Sequence, residues 1–366
     1  MNILIDGYSL ARQEIYGIHR YAIELLSALD KLIDKGEAEI AIPAWADETV
    51  VRDRLSLKNT TLVKIGKINR SSFRFGNIID ATYWREVAFP KYASHKDAVK
   101  IDLLLDFPRV KTDIITIYDC IPELFPHVKP PLKYRLHVLK VKYIQSRGIR
   151  NCRRILTCSE CSKKDIQIAY KTHGKPIDVI YSGWQHFERI SEDETIIDKL
   201  KLEKGRFFFT LGSRLYHKNA RWILAAAEKN PQYTFVISGS SKNKVDKEAE
   251  SNNAENVIFA GYLSDPEVKT LMRYCKAFIQ PSLYEGFGMP PIEAMSTGAN
   301  CIVSNAASLP EIYQNSVWYI NPNDYEHINM DEIMSKSKEK NEKILNKYSW
   351  EKSAKQLIEI IHILER

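Results

Sequence analysis

A chain of 366 residues with 44% hydrophobic content is long enough for two packed domains and too apolar to be disordered. The formal net charge of +7 comes wholly from the first half: residues 1–188 hold 30 basic and 22 acidic side chains, residues 189–366 hold 23 and 24. That asymmetry points the first half at something anionic, a nucleic acid, a phosphate-bearing ligand or a membrane surface. "MNILIDGYSLARQ" lacks a signal peptide's apolar run and no stretch approaches the ~20 apolar residues of a membrane span, so the expected location is cytoplasmic.

In chain order, "MNILID" reads as a strand and "GIHRYAIELLSALDKLI" as a helix, followed by the strands "IDLLLDF", "IITIYD", "RRILTCS" and "PIDVIYS". A second series runs through "RFFFTLGS", the helix "ARWILAAAEK", "TFVISGS", "NVIFAGY", the helix "PEVKTLMRYC", "AFIQPS" and "NCIVSN". Alternation of this kind predicts two α/β doubly wound domains in tandem, 1–188 and 189–348, with ligands beyond the carboxyl ends of the strands. Residues 349–366, with Trp350, Ala354, Leu357, Ile358 and Ile361 at helical spacing, predict an amphipathic helix. The six cysteines fit neither a disulfide scaffold nor a zinc site and read as reduced thiols.

Chemistry concentrates in two loops. In "FFFTLGSRLYHKN" an apolar strand meets a glycine turn, then Arg214 and Lys218, cations suited to a diphosphate beside a helix amino terminus. In "PSLYEGFGMPPIEAMSTG", Pro290 and Pro291 fit the first turn of a helix that Gly298 ends, and Gly286 and Gly288 let backbone N–H groups approach a ligand. Glu285 precedes that helix and Glu293 lies within it. On spacing alone the two carboxylates either hold sugar hydroxyls across a diphosphate or serve as a loop surface residue and a dipole complement.

The segments "EGFGMPPIEAMSTG" and "GSRLYHKN", with "YGIHRYAIELL", "ITIYDCIPELFP", "LTCSECSKKDI" and "VIYSGWQHF", resemble the retaining glycosyltransferases of family 4, bacterial surface-polysaccharide type. The resemblance implies the GT-B fold: two Rossmann-like domains facing across a cleft, the terminal helix crossing back to the first. It implies a nucleotide-sugar donor on the second domain and a saccharide acceptor on the first, where the basic residues 127–154 would suit either an anionic membrane face or an acceptor linked to a polyprenyl diphosphate. By position, Arg214 and Lys218 would neutralise the diphosphate, Glu293 would bind the ribose and Glu285 the transferred sugar. Phe287, Gly288 and Met289 would lie along sugar and phosphate, and Gly17 would approach the diphosphate. No cofactor and no metal are expected, since cations and backbone donors serve the leaving group and the chain has no Asp-x-Asp pair.

Two departures from the family pattern stand out. Tyr118-Asp119 replaces a His-Asp pair, so a phenol, a poorer proton acceptor near neutral pH, stands where a histidine would meet the sugar. Asp119 either orients the acceptor hydroxyl or caps the following turn. The Arg214 to Lys218 interval is one residue tighter than is common.

The transferred group expected is a hexose or deoxyhexose of mannose or rhamnose type, in polysaccharide or O-antigen assembly. A sugar-nucleotide epimerase and a non-catalytic nucleotide-sugar-binding module are the alternatives. Residues 127–154 are rich in Lys and Arg, with Leu132, Leu136, Leu139 and Tyr143 at helical spacing and Lys133, Lys140 and Arg147 off that stripe. They read either as a helix packed on its own sheet with solvated lysines or as a face for an anionic membrane, making the protein peripheral on the inner face of the plasma membrane. Nucleic acid is not expected, because no recognition motif accompanies the charge.

Overall fold

Short runs of Ile, Leu, Val and Phe without a solvated face are what buried parallel strands require. In the computed structural model, which describes residues 1–12, 17–66, 76–106, 108–121, 132–212, 215–239 and 255–365, these runs form two all-parallel sheets. The first holds β1 (Ile3–Asp6), β2 (Ala38–Pro43), β3 (Thr61–Ile65), β4 (Val99–Asp102), β5 (Ile114–Thr116), β6 (Arg154–Thr157) and β7 (Ile177–Val179), in spatial order β3-β2-β1-β4-β5-β6-β7. The second holds β8 (Phe207–Leu211), β9 (Thr234–Ser238), β10 (Val257–Gly261), β11 (Ala277–Gln280), β12 (Cys301–Ser304) and β13 (Trp318–Ile320), in order β10-β9-β8-β11-β12-β13. Both sheets are doubly wound, with the strand order reversing between β1 and β4 and between β8 and β11. Sequence reading did not find β2, β3 and β13. The edge strand β3 explains the difficulty: its pattern TLVKI exposes Thr61 and Lys64, so it lacks a continuous apolar run.

The chain forms two compact units, Met1–Gly183 with Trp350–Arg366, and Trp184–Ser349. The break therefore lies before the expected boundary at 188. The turn Gln185–Arg189 goes with the second unit because His186 and Phe187 are buried there, and Lys269 Nζ donates to the Phe187 carbonyl at 3.0 Å. In that unit Phe208, Phe235, Ile237, Ala277, Ile279 and Ile302 pack against Trp222, on the helix Ala220–Lys229. Each of these Phe and Ile side chains contributes about 1.5–3 kcal/mol by leaving water.

The terminal helix Trp350–Glu365 buries Trp350, Ala354, Leu357 and Ile361 in the first unit. Trp350 meets the Tyr21 ring edge-on at 5.5 Å, Ser353 Oγ donates to the Tyr181 carbonyl at 2.6 Å, and Arg153 donates to the Leu364 carbonyl at 2.9 Å. All six cysteines are free thiols, as expected, and five are buried.

Candidate functional site

In an open doubly wound sheet the crevice lies beyond the strand ends where the order reverses. For the second sheet that is the space past β8 and β11, and two loops are fastened there. Arg214 lies outside the described residues. After it, a 3-10 turn Tyr216–Lys218 ends at Asn219, which takes the left-handed conformation with φ +56°. The buried Asn219 amide donates to the carbonyls of Pro281 at 3.0 Å and Pro322 at 2.8 Å, and Leu283 N donates to the His217 carbonyl at 2.7 Å. These bonds fix the loop after β8 against the loop after β11.

The fastening brings Lys218 onto Glu285. The ammonium donates to both carboxylate oxygens, at 2.7 Å to Oε1 and 3.0 Å to Oε2. Glu285 is only 7% exposed, and its Oε1 also accepts from Gln280 Nε2 at 2.5 Å and Ser282 Oγ at 2.6 Å. Burial opposes its charge, yet the Lys218 ammonium and the Ser282 hydroxyl outweigh that and hold the carboxyl below the usual range. Glu285 is thus an ionised acceptor whose Oε1 already takes three donors, while Oε2 takes only Lys218 among the described residues. Sequence reading had Lys218 at the phosphate and Glu285 at the sugar as separate contacts, and the structure joins them in one buried pair. Gln280 and Ser282 were not identified from sequence, although Gln280, as a buried amide ending a strand otherwise made of Ala, Phe and Ile, was the available signal.

The following helix, Met289–Ser296, starts as read from the sequence. Pro290 and Pro291 occupy its first turn, where a missing N–H costs nothing, and Gly298 follows its end with φ +89°. Gly288 precedes it with φ +78°, and a Cβ there would come within 2.7 Å of Leu309 Cδ2, so both backbone angle and space demand glycine. Tyr313 OH donates to the Gly288 carbonyl and accepts from Ile292 N at 3.2 Å, setting the helix start. Phe287 is buried with its ring edge-on to Tyr348 at 5.6 Å, so only its backbone is placed to serve a ligand, and Met289 is half-buried at the helix start. Glu293 pairs through Oε1 with His186 Nε2 at 2.9 Å. His186 is 3% exposed, and its 107-residue separation from Glu293 hides the pair in the sequence.

In the first unit Gly17 is exposed at the start of the helix Gly17–Asp30. Tyr118 is buried, and its hydroxyl donates to the Leu103 carbonyl at 2.6 Å. Its one proton is thereby spent on the backbone, so in this arrangement Tyr118 packs the loop rather than presenting a donor to a ligand. Asp119, half-buried, accepts from Ile121 N at 3.1 Å, which is the turn-capping geometry.

The other reversal point, between β1 and β4, gathers Asp6, Asp102 and Asp106. Burial, then the nearby Asp102, push Asp106 up to about 7 against two hydrogen bonds from Ser9 and the positive charge of Arg12. Burial, then Asp106 and Asp102, push Asp6 well above its usual value. Between about pH 4 and 7 the folded state therefore holds protons that the unfolded chain has lost, so this contribution is complete below ~pH 3.9 and is lost as pH rises through 7. Asp106→Asn is expected to stabilise the fold by about 1–3 kcal/mol at ~pH 8 and by clearly less at ~pH 5, read from denaturant melts. Equal gains at both values would contradict this electrostatic origin. Among the described residues no group of three or more His, Cys, Asp or Glu is placed to hold a metal ion.

Known proteins share this fold. Residues 192–350 match the family model described as Glycosyl transferases group 1. The chain is 25% identical over 320 residues, 84% of each chain, to the O-antigen chain mannosyltransferase RfbU of Salmonella typhimurium. Sucrose-phosphate synthase from Thermosynechococcus elongatus superposes on 100% of this chain and 99% of its own with TM-score 0.72 at 14% identity. HepE of Anabaena, solved with UDP and glucose, superposes on 99% of both chains with TM-score 0.68 at 15% identity. At such identities the two structures speak for the fold alone.

Proposed function

We propose, from the premise that this chain is a glycosyltransferase of the glycosyl transferases group 1 with the GT-B fold, that it moves a hexose or deoxyhexose of mannose or rhamnose type from a nucleotide-sugar to a saccharide acceptor in O-antigen or related polysaccharide assembly. The observation that carries this reading is the buried Lys218–Glu285 pair at the reversal point, with Glu293 on the next helix. The name of the relative RfbU supports the sugar class and the setting, and HepE, solved with UDP and glucose, supports the donor class. The acceptor is lipid-linked in this reading.

In the proposed reaction the bond from the anomeric carbon to the diphosphate oxygen breaks. The acceptor oxygen bonds to that carbon on the same face, giving retention, and its proton passes to the departing phosphate oxygen. Lys218 and Arg214 balance the charge that grows on the diphosphate, with no cofactor or metal needed. Glu285 Oε2 receives a hydroxyl of the transferred sugar while its Oε1 stays locked by Gln280 and Ser282. Glu293 holds the ribose, and the backbone of Phe287, Gly288 and Met289 lies along sugar and phosphate. In the first unit Asp119 serves the acceptor, with Tyr118 holding the Asp119 loop in place.

Thermal-shift screening against UDP-, GDP- and dTDP-linked sugars tests this, followed by transfer to a saccharide acceptor with the best binder. One donor class is expected to stabilise the fold by about 2.7 kcal/mol at a hundredfold excess over Kd and to support transfer. Stabilisation by none of the three would contradict a donor site. Binding without transfer or hydrolysis would leave the nucleotide-sugar-binding module in its place.

A further inference from the structure

The helix Leu132–Asn151 carries six Lys and Arg and no acid. A surface helix ordinarily turns its apolar stripe to the core. This one does the reverse. Leu132, Leu136, Leu139 and Tyr143 are 69%, 58%, 63% and 63% exposed. At ~100° per residue they fall within an arc of about 60°, a continuous ridge rather than isolated apolar residues. The helix is anchored by other residues in its second half. Gln145 and Gly148, on the side away from the ridge, are buried, Gln145 accepts from the Tyr170 hydroxyl, and Ile149 joins the cluster of Ile115, Ile155 and Ile166. The alternative in which the leucine stripe packs on its own sheet therefore does not hold.

Exposed cations flank the ridge, Arg135 and Lys142 on one side and Lys140 on the other. Arg147, further along, is occupied by Glu86 at 2.8 Å. The side chain of Lys133 and residues 127–131 lie outside the described residues. No helix among the described residues is long and apolar enough to cross a membrane, so a ridge of this kind can lie along a bilayer but not span it.

We propose that this face docks on a membrane surface bearing anionic lipid. Leu132, Leu136, Leu139 and Tyr143 enter the headgroup and upper acyl region, while Arg135, Lys140 and Lys142 meet lipid phosphates. Charge complementarity selects this occupant. A bare aliphatic ridge between cations suits a surface that is apolar beneath a layer of phosphates. Nucleic acid would offer the phosphates without an apolar layer, and a second copy of the helix would bring like charge against like. The inference stands on this helix alone, so its failure would leave the donor reading untouched, and its success would bring the enzyme to where a lipid-linked acceptor resides.

Sedimentation of the full chain with phosphatidylcholine vesicles, with and without phosphatidylglycerol, tests the proposal. The wild type is expected to co-sediment with the anionic vesicles at low ionic strength and to be released by high salt. The double variant Leu136→Ser/Leu139→Ser, at exposed positions that do not support the core, is expected to lose about tenfold or more in partitioning while keeping its melting temperature. Arg135→Gln/Lys140→Gln is expected to weaken both the binding and its salt dependence. Failure of the wild type to bind anionic vesicles at low salt would overturn the proposal, as would unchanged binding by the leucine variant. Self-association abolished by the leucine variant, without vesicle binding, would also overturn it by making the ridge a protein contact.

Discussion

Glu285→Gln is expected to lower kcat by about a hundredfold while donor KM stays within about threefold of wild type. Its carboxylate meets the transferred sugar in the proposed site, where positive charge grows on the ring as the bond to the diphosphate breaks. An interaction that strengthens only as that charge develops appears in kcat, and about 2.7 kcal/mol of it corresponds to a hundredfold. Glutamine keeps the shape, so its oxygen can still accept from Ser282 while its amide meets the Lys218 ammonium without charge compensation. Glu285→Ala is a poorer probe. Both variants leave the Lys218 ammonium uncompensated, at about 3–5 kcal/mol of folding free energy, but alanine also strips Gln280 and Ser282 of their buried acceptor. Initial-rate measurements over a donor series, beside melting curves, separate the two effects. A Gln variant with wild-type kcat would remove Glu285 from the reacting end of the site.

Glu293→Ala is expected to raise donor KM by about 10- to 100-fold with kcat nearly unchanged, because a ribose hydroxyl takes no part in the chemistry and its contact is the same before and during transfer. His186 enters the same prediction. Its Nε2 lies 2.9 Å from Glu293 Oε1 and its ring is buried, which fixes the carboxylate through that oxygen. His186→Ala is therefore expected to reproduce part of the KM rise, about 3- to 10-fold, without altering kcat. Donor titrations of the three proteins measure this, and an unchanged KM in Glu293→Ala would contradict the ribose assignment.

These effects rest on features that differ in how far the sequence discloses them. The loop and helix around Glu285 and Glu293 were legible because their signals are local: a proline pair at a helix start, a glycine just before it, a glycine after the helix end. Lys218 was legible as a cation at a strand end, but its pairing with Glu285 was not, since the contact spans 67 residues and depends on Asn219 fastening two loops. His186 lay hidden for the same reason, 107 residues from its partner. Tyr118 could be seen to replace a histidine, yet only the packed structure shows its hydroxyl on the Leu103 carbonyl. In the helix Leu132–Asn151, periodicity revealed the leucine stripe but not its direction. Which face a helix buries is decided by the partner it packs on, here through Gln145, Gly148 and Ile149.

The central claim is one site with two ends: Lys218 and Glu285 at the sugar and diphosphate, His186 and Glu293 at the nucleoside. Its most direct test is a single steady-state donor titration carried out in parallel on wild type, Glu285→Gln and Glu293→Ala. The account predicts that the first variant changes kcat and the second KM. Both variants failing in the same constant, or neither changing either, would contradict it.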